Sequence, residues 1–354
     1  MEKFSFVIHP LTLQDYTRKF PAAGYLPDFV LQGMARVLPP FKVSEIKGIS
    51  SAWAQAEGEF VCCPLTSRQL LQLPAEVTLD KIRGAVKLAA RNGAKLVGLG
   101  ALPSFVSEGG RLIAKEVGIP ITTGSSYTVF IALEGIKEAA KLMEIDWAGA
   151  NVLILGAAGS IGSVCACFLA RENRSLTLVA RQRNKLEKLA AKILYETGLA
   201  AKITANMQEA LGEADIVIAA TSALDIPVEP EALKPGAVVC DVARSRDVSL
   251  KVAGKREDVL VIEGGVVAVP GKPEFNFNFG IPPGKCYACM AEVMILALEK
   301  RYESFSLGKE MTLRQVKEIG GLAQKHGFKL AGLRSFGKNL TWREIENIKK
   351  KNYC

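Results

Sequence analysis

The stretch NVLILGAAGSIG, residues 151–162, decides how the middle of this 354-residue chain folds. Its first five residues predict a buried strand, and helical residues follow the third glycine of a GxxGxxG pattern. A glycine loop between a strand and a helix lets the backbone approach a pyrophosphate, which the free N–H groups of the helix can bind. Seven residues are therefore predicted to contact a dinucleotide: Gly156, Ala157, Ala158, Gly159, Ser160, Ile161 and Gly162. The alternative is a tight turn between strand and helix that binds no ligand.

Further strands and helices alternate with this one along the chain. Strands are predicted at 176–179, 215–220, 237–241 and 259–262, with a helix at 185–195. This alternation predicts an α/β protein with a Rossmann-type, doubly wound parallel sheet. We expect an N-terminal α/β substrate domain at 1–146, the Rossmann domain at 147–284, and a helical C-terminal segment with a basic tail at 285–354.

The end of the second predicted strand of this domain bears on the choice of dinucleotide. Units that bind NAD place a carboxylate there, about 20 residues after the glycine loop, to hold the ribose. Here the strand runs into Arg181 and Arg183, and no carboxylate stands at that point. Guanidinium groups suit a 2′-phosphate, so the sequence favours NADP over NAD. The alternative is that both arginines are solvated surface residues.

The composition is that of a globular protein, with 49% hydrophobic and 23% charged residues. The first residues, MEKFSFVIHP, lack the apolar run of a secretory signal, and no stretch reaches the roughly 18 apolar residues of a membrane span. We therefore expect a cytoplasmic protein without a transmembrane segment. In that compartment its eight cysteines are expected to be free thiols.

The net charge of +9 is concentrated near the C-terminus, where residues 325–354 hold eight Lys and Arg against two Glu. One interpretation is a solvated tail, and the other is a docking surface for an acidic partner. No helix-turn-helix, zinc finger or RNA-binding signature accompanies the charge, so nucleic acid is not the expected partner. Peripheral contact with a membrane is left open.

A second informative stretch is KCYACMAE, residues 285–292, which holds Cys286 and Cys289 where an apolar helix is expected to begin. The pair could form a disulfide, half a metal site, a redox pair, or one nucleophile beside a bystander. Zinc would need about two more ligands, yet there is no second CxxC and the only histidines are His9 and His326. No metal site is therefore expected. A thioredoxin-like redox pair would follow a strand in a small βαβ unit, whereas this pair lies far down the chain, after another fold.

A thiolate at a helix N-terminus has a lowered pKa, which suits Cys289 to nucleophilic attack on a thioester. Glu292, three residues later on the same helical side, could orient the nucleophile or carry a proton, or could be a surface carboxylate. Free cysteines are often buried core residues, so chemistry alone leaves the role of Cys289 open. Cys62 and Cys63, at the end of another strand, form the rival nucleophile pair.

At several of these segments the chain resembles the long-chain acyl-[acyl-carrier-protein] reductases, which form fatty aldehydes. The glycine loop resembles that family's GATGDIGS, residues 287–292 its FACFAE, residues 122–128 its TTGNTHT, and residues 264–267 match its GGVV. Weaker likenesses are found at residues 98–104, 180–186 and 325–328, so the resemblance spans roughly residues 4 to 333.

The resemblance implies that Cys289, rather than Cys286, is the acylated nucleophile and that NADPH donates the hydride. It also implies an acyl carrier protein, or coenzyme A, as carrier of the acyl substrate. Thr123, Gly124 and Ser125 are then expected to line the substrate site. The expected function is NADPH-dependent reduction of a long-chain acyl thioester to an aldehyde through an acyl-Cys289 intermediate. The alternative is a shikimate-dehydrogenase-like oxidoreductase that acts on a small hydroxy acid without covalent catalysis.

Overall fold

The structure is a computed structural model that describes residues 1–221, 228–242, 252, 255–308 and 311–352. Its helices, in chain order, are α1 (Asp28–Val37), α2 (Ser67–Gln72), α3 (Ala75–Arg91), α4 (Ala101–Val106), α5 (Arg111–Ala114), α6 (Ser125–Leu142), α7 (Ser160–Leu169), α8 (Arg183–Thr197), α9 (Met207–Glu213), α10 (Ala288–Leu298), α11 (Leu313–His326) and α12 (Trp342–Lys350). Short 3-10 helices lie at Leu13–Arg18, Pro21–Tyr25 and Pro230–Ala232.

The strands are β1 (Glu2–Ile8), β2 (Phe41–Ser50), β3 (Gln55–Cys62), β4 (Leu96–Leu99), β5 (Ile121–Thr122), β6 (Asn151–Leu155), β7 (Ser175–Val179), β8 (Lys202–Ile203), β9 (Ile216–Ala219), β10 (Val238–Asp241), β11 (Leu260–Glu263), β12 (Val266–Ala268), β13 (Gly271–Glu274), β14 (Lys285–Tyr287), β15 (Lys329–Leu330), β16 (Arg334–Ser335) and β17 (Lys338–Asn339). The expected α/β architecture with a doubly wound parallel sheet is confirmed.

The chain divides into two compact units. Unit 1 comprises residues 1–127, 267–310 and 318–329, and unit 2 comprises 128–266, 311–317 and 330–354. These units differ from the boundaries expected at 146 and 284, because the chain returns to unit 1 after residue 266. There β13 pairs with β2, and α10 packs against β1 and β4. The helix that carries Cys289 is thus part of unit 1.

Unit 1 is built on a six-stranded sheet with the order β13-β2-β3-β1-β4-β5. Strands β3, β1, β4 and β5 run parallel, whereas β2 is antiparallel to β3. Val7, Val97 and Leu99 pack with α3 on one face. Every residue of α10 is buried, and Gly98 leaves the space in which Phe6 and Val293 lie. A wholly apolar, wholly buried helix on a sheet is a core element.

Unit 2 contains a parallel sheet with the order β11-β10-β9-β6-β7-β8. Successive residues of β6 alternate between two cores, with Val152 and Ile154 in one and Leu153 and Leu155 in the other. Helices cover both faces, as parallel strands buried on both sides require. The strand order reverses between β6 and β9, and in such sheets ligands bind beyond the carboxyl ends of the strands at this reversal.

Candidate functional site

Cys289 is the second residue of α10, directly after the strand β14. Tyr287 is the N-cap of the helix and makes no side-chain capping bond, so the first N–H groups of α10 are not capped by it. The cysteine is buried, with 5% of its surface exposed. A thiol at this position lies at the N-terminal, positive end of the helix dipole.

Cys286 differs from Cys289 although the two lie only three residues apart. It is on β14 and fully buried, and burial raises the pKa of its thiol well above the ordinary value. Both cysteines are free thiols, so the structure shows no disulfide between them. Among the described residues, no group of three or more His, Cys, Asp or Glu could hold a metal ion.

The loop after β5 lies directly against Cys289. Gly124 has a φ of +75°, and a Cβ atom built on it would overlap the backbone and the Cβ of Cys289. Only glycine meets both conditions, since other residues rarely adopt this backbone conformation. The structure thus brings Gly124, one of the expected substrate residues, into contact with the expected nucleophile.

Glu292 connects this loop to α10. The carboxylate is completely buried and accepts hydrogen bonds from the Thr122 hydroxyl and from the backbone N–H of Tyr127, the latter at 2.8 Å. Burial raises the pKa of Glu292, while its bonds to Thr122, Tyr127, Ser306 and Gly124 act in the opposite direction. Its oxygens are occupied by the loop, so Glu292 holds the loop against the helix and is not the surface carboxylate considered above.

The other side of the loop is fixed by Ser306. The Thr123 hydroxyl donates to the Ser306 carbonyl at 2.6 Å and lies 2.9 Å from the Ser125 hydroxyl. The Ser306 hydroxyl donates to Ser126 at 2.6 Å. We call this arrangement of Thr122–Ser126, Cys289, Glu292 and Ser306 the thiol site. Ser306 was not expected from the sequence, because no local pattern reveals a partner 180 residues away.

The rival cysteine pair lies in a less reactive environment. Cys62 and Cys63 are both buried at the end of β3. Burial raises the pKa of Cys63 to about 11 and raises that of Cys62 further. Neither thiol lies at the N-terminus of a helix, as Cys289 does.

The glycine loop of unit 2 has the geometry that a pyrophosphate requires. Gly156 has a φ of +77°, and a Cβ on it would come within 2.7 Å of the Ala220 carbonyl oxygen. A Cβ on Gly162 would overlap the Gly156 carbonyl, so this glycine allows the helix to start close to the strand. Gly159 is the N-cap of α7, whose first turn has no acidic residue. The three glycines therefore leave the N-terminus of α7 accessible to an anion.

The two arginines after β7 are not equivalent. Both are exposed, but Arg183 starts α8 and forms an ion pair with Glu187 at 2.9 Å, one helical turn away. In the described part of the chain, no carboxylate pairs with Arg181. The guanidinium of Arg181 is therefore the better placed of the two for a phosphate.

Comparisons with known proteins agree with this geometry. The sequence model of the shikimate / quinate 5-dehydrogenase family matches residues 137–263, all of which lie in unit 2. The chain is 26% identical to the long-chain acyl-[acyl-carrier-protein] reductase of Synechococcus elongatus, over 82% of this chain and 87% of that protein. It is 30% identical to aminotransferase PigE of Serratia sp., over 98% of this chain. The chain spans only 42% of the length of that aminotransferase.

Among solved structures, the anabolic ornithine carbamoyltransferase of Campylobacter jejuni covers 68% of this chain and 74% of its own at 13% identity, with a TM-score of 0.35. That likeness is too distant to inform function. The dehydrogenase match at residues 137–263 indicates that unit 2 has an NAD(P)-dependent, oxidoreductase-like fold that uses a nicotinamide cofactor. None of the described helices is both long and apolar enough to cross a membrane.

Proposed function

We propose that this protein is an NADPH-dependent reductase that converts a long-chain acyl thioester to an aldehyde. The observation that carries the proposal is the thiol site, in which Cys289 lies at the start of α10 against the loop at Gly124. The likeness to the acyl-[acyl-carrier-protein] reductase of Synechococcus elongatus supports it, since that likeness covers both units of the chain.

In the proposed reaction the Cys289 thiolate attacks the carbonyl carbon of the acyl thioester, and the carrier leaves as a thiolate that takes a proton from solvent. The acyl group is then held on Cys289 as an enzyme thioester, a step suited to a thiol nucleophile because the leaving group is itself a thiol. NADPH, which the glycine loop and Arg181 would hold, supplies the hydride. The thiohemiacetal formed on Cys289 collapses to the aldehyde and returns the free cysteine.

The surroundings of Cys289 support an apolar acyl group. The ring of Tyr287, the N-cap residue of α10, lies 6.4 Å from the ring of Phe279, which in turn lies 5.6 Å from the ring of Phe60. Phe275 and Phe277 complete this cluster of rings around Phe60. Phe60 and Phe275 are buried, whereas Phe277, Phe279 and Tyr287 are only partly buried, so these three rings could contact an alkyl chain.

Both oxygens of Glu292 are bound within the protein, so we assign it the role of a positioning residue. With Thr122 it fixes Gly124 against Cys289. Thr123 and Ser125 present hydroxyl groups in the same loop, where they could orient the thioester. The acyl group is carried either by acyl carrier protein or by coenzyme A, and the experiment below compares the two carriers.

The test is to incubate the protein with a palmitoyl thioester of acyl carrier protein or of coenzyme A, without NADPH, and to map the peptides by mass. A palmitoyl mass on the peptide that holds Cys289 is expected, and it should disappear in Cys289→Ser. If neither carrier gave an adduct, the proposal would be contradicted. That result would favour the second candidate, a noncovalent dehydrogenase of the kind that the match to residues 137–263 suggests.

A further inference from the structure

The segment of unit 1 between residues 20 and 37 exposes several large apolar side chains to solvent. Six large apolar residues between positions 20 and 37 are exposed: Phe20, Tyr25, Leu26, Phe29, Met34 and Val37. We call these six the apolar surface. Exposed fractions reach 91% for Tyr25, 76% for Phe29 and 78% for Val37. Single exposed apolar residues are common, but such a concentration marks an interaction site.

The helix α1 is attached to unit 1 through residues other than its exposed apolar ones. Leu31 and Ala35, four residues apart, are buried and join α1 to a small core with Tyr16 and Ala23. Phe29 and Val37 are eight residues apart, on a face of the helix other than the one that holds Leu31 and Ala35. The buried face already attaches the helix, so the apolar residues on its outer face are available to a partner.

Two features of the apolar surface favour lipid over a protein as this partner. Of its six side chains only Tyr25 carries a hydroxyl, whereas protein interfaces pair many hydrogen-bonding groups. Two cations flank the six side chains. Arg36 is exposed beside Val37, and Lys19, whose ammonium also donates to the Val43 carbonyl at 2.6 Å, precedes Phe20. Asp28 is the only carboxylate between residues 19 and 37. Aromatic and aliphatic side chains edged by cations suit an anionic membrane interface.

We propose that the apolar surface binds peripherally to an anionic lipid surface, with its rings and aliphatic groups at the boundary between headgroups and acyl chains. Lys19 and Arg36 then lie at the level of the lipid phosphates. This inference does not depend on the proposed reductase activity, because it rests on residues outside both the thiol site and the glycine loop.

The test is co-sedimentation of the full chain with vesicles of phosphatidylcholine, with and without phosphatidylglycerol. The double variant Tyr25→Ser/Phe29→Ser removes the two most exposed aromatic rings of the surface. Its matched control, Trp53→Ser/Tyr195→Ser, removes two rings that are equally exposed, at 71% and 92%, elsewhere on the molecule. Circular dichroism melting of both variants checks that each remains folded.

Wild type is expected to sediment with the phosphatidylglycerol vesicles, and the surface variant should bind at least about tenfold more weakly. The control variant should bind as wild type does. Arg36→Glu should weaken binding about tenfold at low salt and less at high salt. Equal loss in the control, or no binding by wild type, would overturn the proposal. So would a lipid-free dimer that the surface variant converts to a monomer, since the surface would then join two copies of the chain.

Discussion

The thiol site and the glycine loop are each built around a glycine with positive φ, but they are held together differently. Around Gly156 the partners are near in sequence or on adjacent strands, and they bond through the backbone, as Gly156 and Ala157 do to Val179. Around Gly124 the partners are the side chains of Glu292 and Ser306, more than 160 residues away. A site made by local backbone geometry leaves a motif in the sequence, whereas one made by distant side chains leaves only isolated residues.

The largest expected effect is the loss of aldehyde formation without any loss of NADPH binding. Cys289→Ala should abolish aldehyde formation while NADPH binding, measured by fluorescence titration, stays as in wild type. The reason is that the thiol site lies in unit 1 and the glycine loop in unit 2. The matched control is Cys286→Ala, whose thiol burial keeps protonated, and it should retain activity. Aldehyde formation by Cys289→Ala at the wild-type rate would contradict the mechanism.

The two glycines provide a reciprocal test. Gly124→Ala should lower the rate of Cys289 acylation by about 100-fold, because the new methyl group would overlap Cys289, but should leave NADPH binding intact. Gly156→Ala should weaken NADPH binding while Cys289 is still acylated. Acylation is followed by intact mass and binding by fluorescence.

Gly118→Ala is the control for both glycine variants, since a Cβ there would meet no atom within 4 Å. Its melting temperature and activity should match wild type. If Gly124→Ala and Gly156→Ala each impaired both functions equally, the separation of the two sites would be wrong.

A smaller effect is expected within the nucleotide site. Arg181→Asp should weaken NADPH binding about tenfold or more and change NADH binding little, because only NADPH carries the 2′-phosphate. Arg183→Asp should have the weaker effect, since Arg183 is already paired with Glu187. Equal losses for NADPH and NADH in Arg181→Asp would exclude the 2′-phosphate assignment.

The smallest effect concerns pH and Glu292. A carboxyl whose pKa is raised by burial binds more protons in the folded state than in the unfolded state. Wild type should therefore lose stability as pH rises from the ordinary value of 4.5 through the raised pKa. The loss is about 1.4 kcal/mol for each unit by which the pKa is raised.

Glu292→Gln lacks this ionisation, so its melting temperature should fall less than that of wild type over the same pH range. Glu76→Gln is a control at an exposed carboxyl. Parallel profiles for wild type and Glu292→Gln would show that Glu292 does not titrate in this window.

The sequence was sufficient for the Rossmann-type sheet, because each βα step is local and its apolar strands are distinctive. It also identified Gly156, Gly159 and Gly162 at the positions where the loop needs them. The extent of unit 1 was harder to predict from the sequence. Its sheet is completed by β13, which comes after residues 128–266 of unit 2 in the chain. Glu292 was noticed from its helical spacing to Cys289, but its bonds to the loop at Thr122 depend on tertiary folding. Ser306 has no sequence signal, since a lone serine in a loop is unremarkable.

The return of the chain to unit 1 has a consequence for synthesis on the ribosome. The strand β1 ends at Ile8 and the helix that packs against it begins at Ala288, 280 residues later. At about 5–20 residues per second, the apolar face of the nascent sheet waits roughly a quarter of a minute to a minute for its helix. During that interval the uncovered apolar face is open to aggregation, and chains released before residue 298 would have neither a closed core nor a formed thiol site.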